Sequence, residues 1–173
     1  MGNIKKGFTI IELMIAITVL SFGIIGIYSV FSNVIVATYT ISSRLTAAYL
    51  AQEGLEIVRN IRDTNIVMGK RNLAVAWSDG LLACQTGCQG DYKTENSRQN
   101  ILHNLKPYNT NENLNITTDG FYGYQEGTPT IFKRQIIIVP ASNNELKVTV
   151  LVIWNYNNKP FTFEIKESLY DWN

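Results

Sequence analysis

The chain has little of what most enzymes need. Its 173 residues include a single histidine, His103, and two cysteines, Cys84 and Cys88. One imidazole and two thiols four residues apart do not make zinc-ligand spacing, so no metal site is expected. No nucleophile elbow, phosphate loop or metal-ligand cluster occurs, and a Ser/His/Asp arrangement would have to run through His103, which nothing nearby supports. No catalytic residue and no cofactor is therefore assigned. An excess of charge of one sign is missing too. Fifteen Lys and Arg stand against 14 Asp and Glu, for a net charge of +1, so no basic footprint points to nucleic acid. The acidic pair Glu53 and Glu56 reads as solvated helix surface rather than acid/base machinery.

Charge is scarcest near the N-terminus. After a short polar leader, Met1 to Gly7, which carries Lys5 and Lys6, the run from Phe8 to Phe31 holds only Glu12, and uncharged sequence continues to Arg44. About 20 apolar residues span a bilayer core as a helix, which places a membrane segment over roughly residues 13–36. The two lysines belong on the cytoplasmic side by the positive-inside rule, sending the C-terminus outward in a single pass. A secretory signal peptide would end such a run at a small-x-small cleavage site, and Ile35-Val36-Ala37 is a poor one. A plain signal anchor fits the length but leaves Glu12 unexplained, since a carboxylate at the bilayer centre costs about 2.5–3.5 kcal/mol, less toward the end of the span.

The stretch Lys5-Lys6-Gly7-Phe8-Thr9-Ile10-Ile11-Glu12-Leu13 resembles the processing site of type IV prepilins and pseudopilins. That family has a basic leader ending in Gly, then usually Phe, and a Glu at the fifth mature position; Gly7, Phe8 and Glu12 match. The resemblance implies cleavage between Gly7 and Phe8 by prepilin peptidase at the cytoplasmic face, N-methylation of Phe8, and assembly with other pilin subunits through an inner-membrane platform. It places the protein in the cytoplasmic membrane first and in an extracellular or periplasmic filament afterwards. Gly7 has no side chain to keep a protease from the scissile backbone. The new α-amine, with a reference pKa of about 7.7–8.0, lies at the positive end of a helix dipole. An anionic Glu12 offsets both charges, within the subunit or across to a neighbour, and so sets the register of assembly. Many major pilins carry a Pro in the second half of this segment. Here Ser21-Phe22-Gly23-Ile24-Ile25-Gly26-Ile27 has none, and Gly23 and Gly26 either weaken the helix, at roughly 1 kcal/mol each, or let backbones pack closely.

Helical patterning continues to about Asp63, with Leu45, Ala48, Ala51, Leu55, Val58 and Ile61 toward one side, joined by Leu50 and Ile57. Arg44 and Arg62 intrude on that side. Ala48 to Arg59 is similar to PilV-like and type II secretion I-type minor pilins, which often show an Ala-rich turn followed by a Glu and an Arg. An ordinary amphipathic helix with Glu56–Arg59 and Arg59–Asp63 surface pairs accounts for it equally.

Residues 64–129 read as a variable loop region carrying the Cys pair and a small hairpin, Leu114–Thr118 and Phe121–Tyr124, closed by Asp119-Gly120 as a type I′ turn. Asn115-Ile116-Thr117 matches the N-glycosylation sequon by chance. Residues 130–173 alternate as three strands of an antiparallel meander, one face on the helix, turning at Ala141–Asn144 and at Asn155–Pro160. The middle strand is apolar on both faces and is expected to be buried on both. The expected fold is thus α+β: leader 1–7, long helix 8–63, loop region 64–129 and meander 130–173. A local Cys84–Cys88 disulfide is expected on an exported head, with free thiols the alternative where the exterior lacks oxidising machinery. Three function classes follow: a minor pilin or pseudopilin subunit, a signal-anchored extracellular binding domain that never polymerises, and an anchored enzyme.

Overall fold

A computed structural model of the chain describes residues 7, 9–71, 75–94 and 105–172. The chain divides into two compact units, Met1–Ser43 and Arg44–Asn173. The fold is α+β: one helix, α1 (Ile10–Lys70), followed by antiparallel sheets.

In the first unit α1 begins with a cap. The Thr9 hydroxyl accepts the Glu12 N–H at 3.3 Å, which satisfies a donor that every helix start leaves open, and the Thr9 carbonyl accepts the Leu13 N–H at 3.2 Å as the first bond of the helix ladder. The apolar side chains that follow lie open, Phe22 at 74% and Ile25 at 66% exposure. The helix here is long and apolar enough to cross a membrane. Its hydroxyls are folded back on their own backbone: Thr18, Ser21, Thr38 and Thr40 each donate to the carbonyl four residues earlier at 2.7–2.9 Å, hiding polar groups that lipid would not solvate. At Gly23 and Gly26 nothing approaches within 4 Å of where a Cβ would stand, and α1 is unbroken across both.

In the second unit α1 runs on beyond Asp63 to Lys70. Its last turns are held from outside the helix, the buried Asn65 side chain donating to the Trp77 and Asp79 carbonyls at 3.1 and 3.0 Å. Local sequence carries no mark of such a tertiary bond. The buried face comprises Ala47, Leu50, Ala51, Leu55, Val58 and Ile61; Leu45, assigned to it from the pattern, is 55% exposed. Small residues bring the helix down onto the sheet. A Cβ on Gly54 would lie 2.9 Å from Val150 Cγ1 and 3.1 Å from Arg134 Cδ, so glycine keeps a place here despite its cost in helices.

That sheet has five strands where three were expected. β6 (Lys133–Ser142), β7 (Glu145–Tyr156) and β8 (Lys159–Tyr170) form the meander, and two short strands from the loop region, β1 (Cys88–Gln89) and β2 (Lys106–Pro107), extend it in the order β2-β1-β6-β7-β8. β1 and β2 are two residues each, too short for alternation to mark them. β7 is buried on one face only: Val148, Val150, Val152 and Trp154 line the core, while Leu151 and Ile153 stay half-exposed on the other. Those two look outward from a sheet whose second face nothing among the described residues covers entirely. A second sheet contains β3 (Asn115–Thr117), β4 (Tyr122–Gly123) and β5 (Gly127–Pro129) in the order β4-β3-β5.

The turns differ from expectation in an instructive way. At Thr117–Phe121 only Gly120 has positive φ, at +82°, and Gly120 N–H bonds the Thr117 carbonyl at 2.9 Å while Thr117 N–H bonds that of Phe121 at 2.9 Å. This is a three-residue loop with a left-handed glycine, not a type I′ turn. The two-residue turn with both φ positive lies instead between β7 and β8, at Asn157 (+49°) and Asn158 (+59°), where Tyr156 pairs with Lys159. Asparagine tolerates that region, so the strands run closer to the turn than Asn155–Pro160 suggested. Between β6 and β7 neither turn asparagine has positive φ, and a bulge between Pro140 and Ser142 absorbs the mismatch in twist.

Candidate functional site

The residues picked from sequence fall in two places. Gly7 and Glu12 flank the start of α1; both are exposed, and nothing lies within 4 Å of the position a Gly7 side chain would occupy. Glu12 is the third helical residue after the Thr9 cap. Thr9-Ile10-Ile11-Glu12 therefore has the form of a capping box, and an acid in the first turn also complements the helix dipole. This second role for Glu12 was readable from the spacing alone. Lys5, Lys6, Phe8 and His103 lie outside the described residues.

Cys84 and Cys88 lie in the second unit, joined with Cα atoms 5.1 Å apart. Cys84 ends a short 3₁₀ turn and Cys88 opens β1, opposite Ile136. Gly87, at φ +114°, makes the reversal between them, and a side chain there would run into the Gln135 amide. Both half-cystines are buried in the core, at 0% and 3% exposure. Because the ring they close is small, reduction is expected to cost only about 2 kcal/mol. Thiol labelling should find two alkylatable groups after reductant and none before, and β1 and β2 should fray first because they border the ring. Two reactive thiols in untreated protein would contradict the bridge; cooperative loss of the whole second unit on reduction would show that far more stability resides there.

The polar groups that sequence reasoning passed over are the most buried. Arg134 is fully buried and shares the core-facing register with Ile136 and Ile138. Its Nη1 reaches the Leu50 carbonyl at 3.0 Å and Glu53 Oε2 at 3.0 Å, and its Nη2 the Gly90 carbonyl at 2.6 Å. Glu53 is thus tied to the core rather than free on a solvated face. The signal was a cation in phase with apolar residues along a strand. Asp91, also buried, accepts from the Lys93 and Tyr124 amides at 3.0 and 2.9 Å and from Gln125 Nε2 at 2.7 Å. It anchors the small sheet. Burial pushes the Tyr124 phenol far above its ordinary range, against a lowering pull from Arg134, so it stays protonated and donates to the Arg134 carbonyl. On the helix surface Arg59 pairs with Glu56 at 3.2 Å and more closely with Glu167 at 2.6 Å. The hydrogen bond to Glu167 raises the guanidinium pKa. Asp63 pairs with Arg62, not Arg59.

These bonds are a framework and present no reacting constellation. A cleft of about 390 Å³ lies beside Asp91 and Gln125, both of which belong to this framework. Among the described residues no three His, Cys, Asp or Glu side chains are grouped to hold a metal ion.

Residues 2–28 match the family described as the prokaryotic N-terminal methylation motif. The match covers the leader, Gly7, Phe8, Glu12 and the first turns of the apolar helix, and leaves the second unit unmatched. It supports a type IV pilin-like precursor, a structural class, with processing by a prepilin peptidase and other pilin subunits as the associations the motif suggests. Together with the exposed apolar helix it points to membrane anchoring. No curated protein and no solved structure matches the chain.

Proposed function

We propose that this protein is a minor pilin or pseudopilin: a subunit cleaved between Gly7 and Phe8, methylated on Phe8 and built into a type IV pilus or a type II secretion-like filament. The observation that carries this reading is the methylation-motif match over residues 2–28, set on an apolar helix whose one charge before Arg44 is Glu12. A plain anchor requires neither Glu12 nor a glycine ahead of the apolar run. A filament subunit uses both, the glycine to admit the peptidase and the carboxylate to meet an α-amine.

The reading makes the mature N-terminus a definite chemical species. Mass analysis of the protein from native membranes is expected to find a chain beginning at Phe8 with a methylated amine. Sheared filaments should contain it. Recovery of most molecules with the Met1–Gly7 leader intact would favour the signal-anchored binding domain that never polymerises.

A further inference from the structure

We infer that the end of the second unit from which the apolar segment departs is a docking surface for the anionic headgroups of the membrane's outer face. The inference rests on the anchored reading above and adds a contact that reading does not require.

The packing of α1 on the sheet fixes which strand ends belong to this surface. Arg59 meets Glu167, which pairs with Val148. Gly54 lies against Val150. Leu50 and Glu53 bind Arg134, which pairs with Val152. Stepping back along the helix from Arg59 to Leu50 therefore climbs β7 from Val148 toward Trp154, and one more turn of the helix reaches Ala47 and then Arg44. The Tyr156–Lys159 turn and the start of β6 thus share an end with Arg44. There the chain continues into residues 10–43, with Arg44 eight residues past Val36, at most about 12 Å along a helix. A headgroup layer is about 5–7 Å thick on each side. Helical side chains lean toward the N-terminus, and a long cationic one reaches for such a layer over its own apolar stem.

Cations alone stand in the three segments of helix and sheet that close this end. Residues 44–52, 131–133 and 154–163 converge there and contain Arg44, Lys133 and Lys159 with no Asp or Glu, in a chain whose overall charge is nearly balanced; the loop that meets Lys133 adds Glu112, whose carboxylate is engaged by Gln89. Arg44 and Lys159 are exposed, and neither forms an ion pair among the described residues. Lys133 is tethered to the Thr110 carbonyl. Tyr49, 63% exposed, and the half-buried Phe161, stacked on the core residue Trp154 with centroids 5.7 Å apart, add the aromatic character that interfaces favour. Basic groups beside a membrane gain from anionic lipid and lose that gain in salt. In the anchored subunit this contact holds the head down on the bilayer, and extraction into a filament releases it.

Amide hydrogen exchange on the full chain reconstituted in vesicles tests this. In vesicles containing phosphatidylglycerol, peptides covering residues 154–163 are expected to exchange about threefold or more slowly relative to pure phosphatidylcholine. High salt, or Arg44→Gln with Lys159→Gln, should abolish the difference while peptides covering β7 near Val148 stay unchanged. Equal exchange in both lipids, with the chain resistant to carbonate extraction, would overturn the docking surface and leave the anchor standing. Extraction by carbonate would overturn the anchor and the docking with it.

Discussion

Arg134→Ala is expected to destabilise the second unit by about 3–5 kcal/mol, the cost of truncating a large core side chain together with orphaning one buried acceptor. The side chain is fully buried and its guanidinium serves three acceptors, on Leu50, Glu53 and Gly90. Glu53, 32% exposed, regains water when the arginine is lost, and the Leu50 carbonyl keeps its place in the helix ladder. The Gly90 carbonyl has no such recourse, and truncation also leaves a void beneath Gly54. Arg134 Nε already lacks a partner, a cost that an apolar side chain would remove. Arg134→Met should therefore lose less than the alanine variant, roughly 1–3 kcal/mol, the cost of one orphaned buried acceptor. Urea unfolding of the full chain in detergent, followed through the buried Trp154, measures both. An alanine variant within 1 kcal/mol of the parent, or a methionine variant less stable than the alanine one, would refute this account of the core.

Substitutions at Glu12 are expected to abolish incorporation into filaments while leaving membrane insertion intact. Two roles compete at this position, and two variants separate them. As the third helical residue after Thr9, Glu12 supports the helix start, a contribution of about 0.5–2 kcal/mol at most. As a carboxylate it offsets the α-amine expected on Phe8, a charge pairing that is costly to leave unmade in a low dielectric. Glu12→Gln keeps the capping pattern, which accepts either residue, and removes the charge. Glu12→Ala removes both. Equal loss in the two variants, read as the amount of subunit in sheared filaments relative to membranes, assigns the effect to charge. Normal incorporation of the glutamine variant would reduce Glu12 to a capping residue.

The α+β architecture, the apolar helix and the meander were legible because each is long enough for its period to accumulate. α1 and β6 to β8 repeat their pattern many times over. What escaped notice was short or tertiary. β1 is a strand because β6 offers it an edge, and β2 because β1 then offers it one. The last turns of α1 persist because the Asn65 side chain is bound by carbonyls from Trp77 and Asp79, a bond no local propensity encodes. The turn types were exchanged for a related reason: Asp119-Gly120 looks like a tight hairpin and Asn157-Asn158 like part of a long loop. Backbone twist and strand register, which span the whole sheet, decided both. In the candidate site, Gly7 and Glu12 were picked out by the resemblance of residues 5–13 to a prepilin processing site. Arg134 was hidden because a charged residue in an apolar strand is ordinarily assigned to the outer face.

The Arg59–Glu167 clasp bears on how crowded copies of this protein behave. β8 is the open margin of its sheet and runs for 12 residues, a row of unpaired backbone groups that invites a foreign strand to zip alongside. Its composition discourages that. Lys159 and Pro160 begin it, Lys166 lies on its exposed side, and Glu167 carries a charge toward the core face, where, among the described residues, Arg59 of this same molecule satisfies it. A strand added from another molecule that drew Glu167 away from Arg59 would strand its charge. Copies of the protein held at high density can therefore lie shoulder to shoulder without fusing into amyloid-like ribbons.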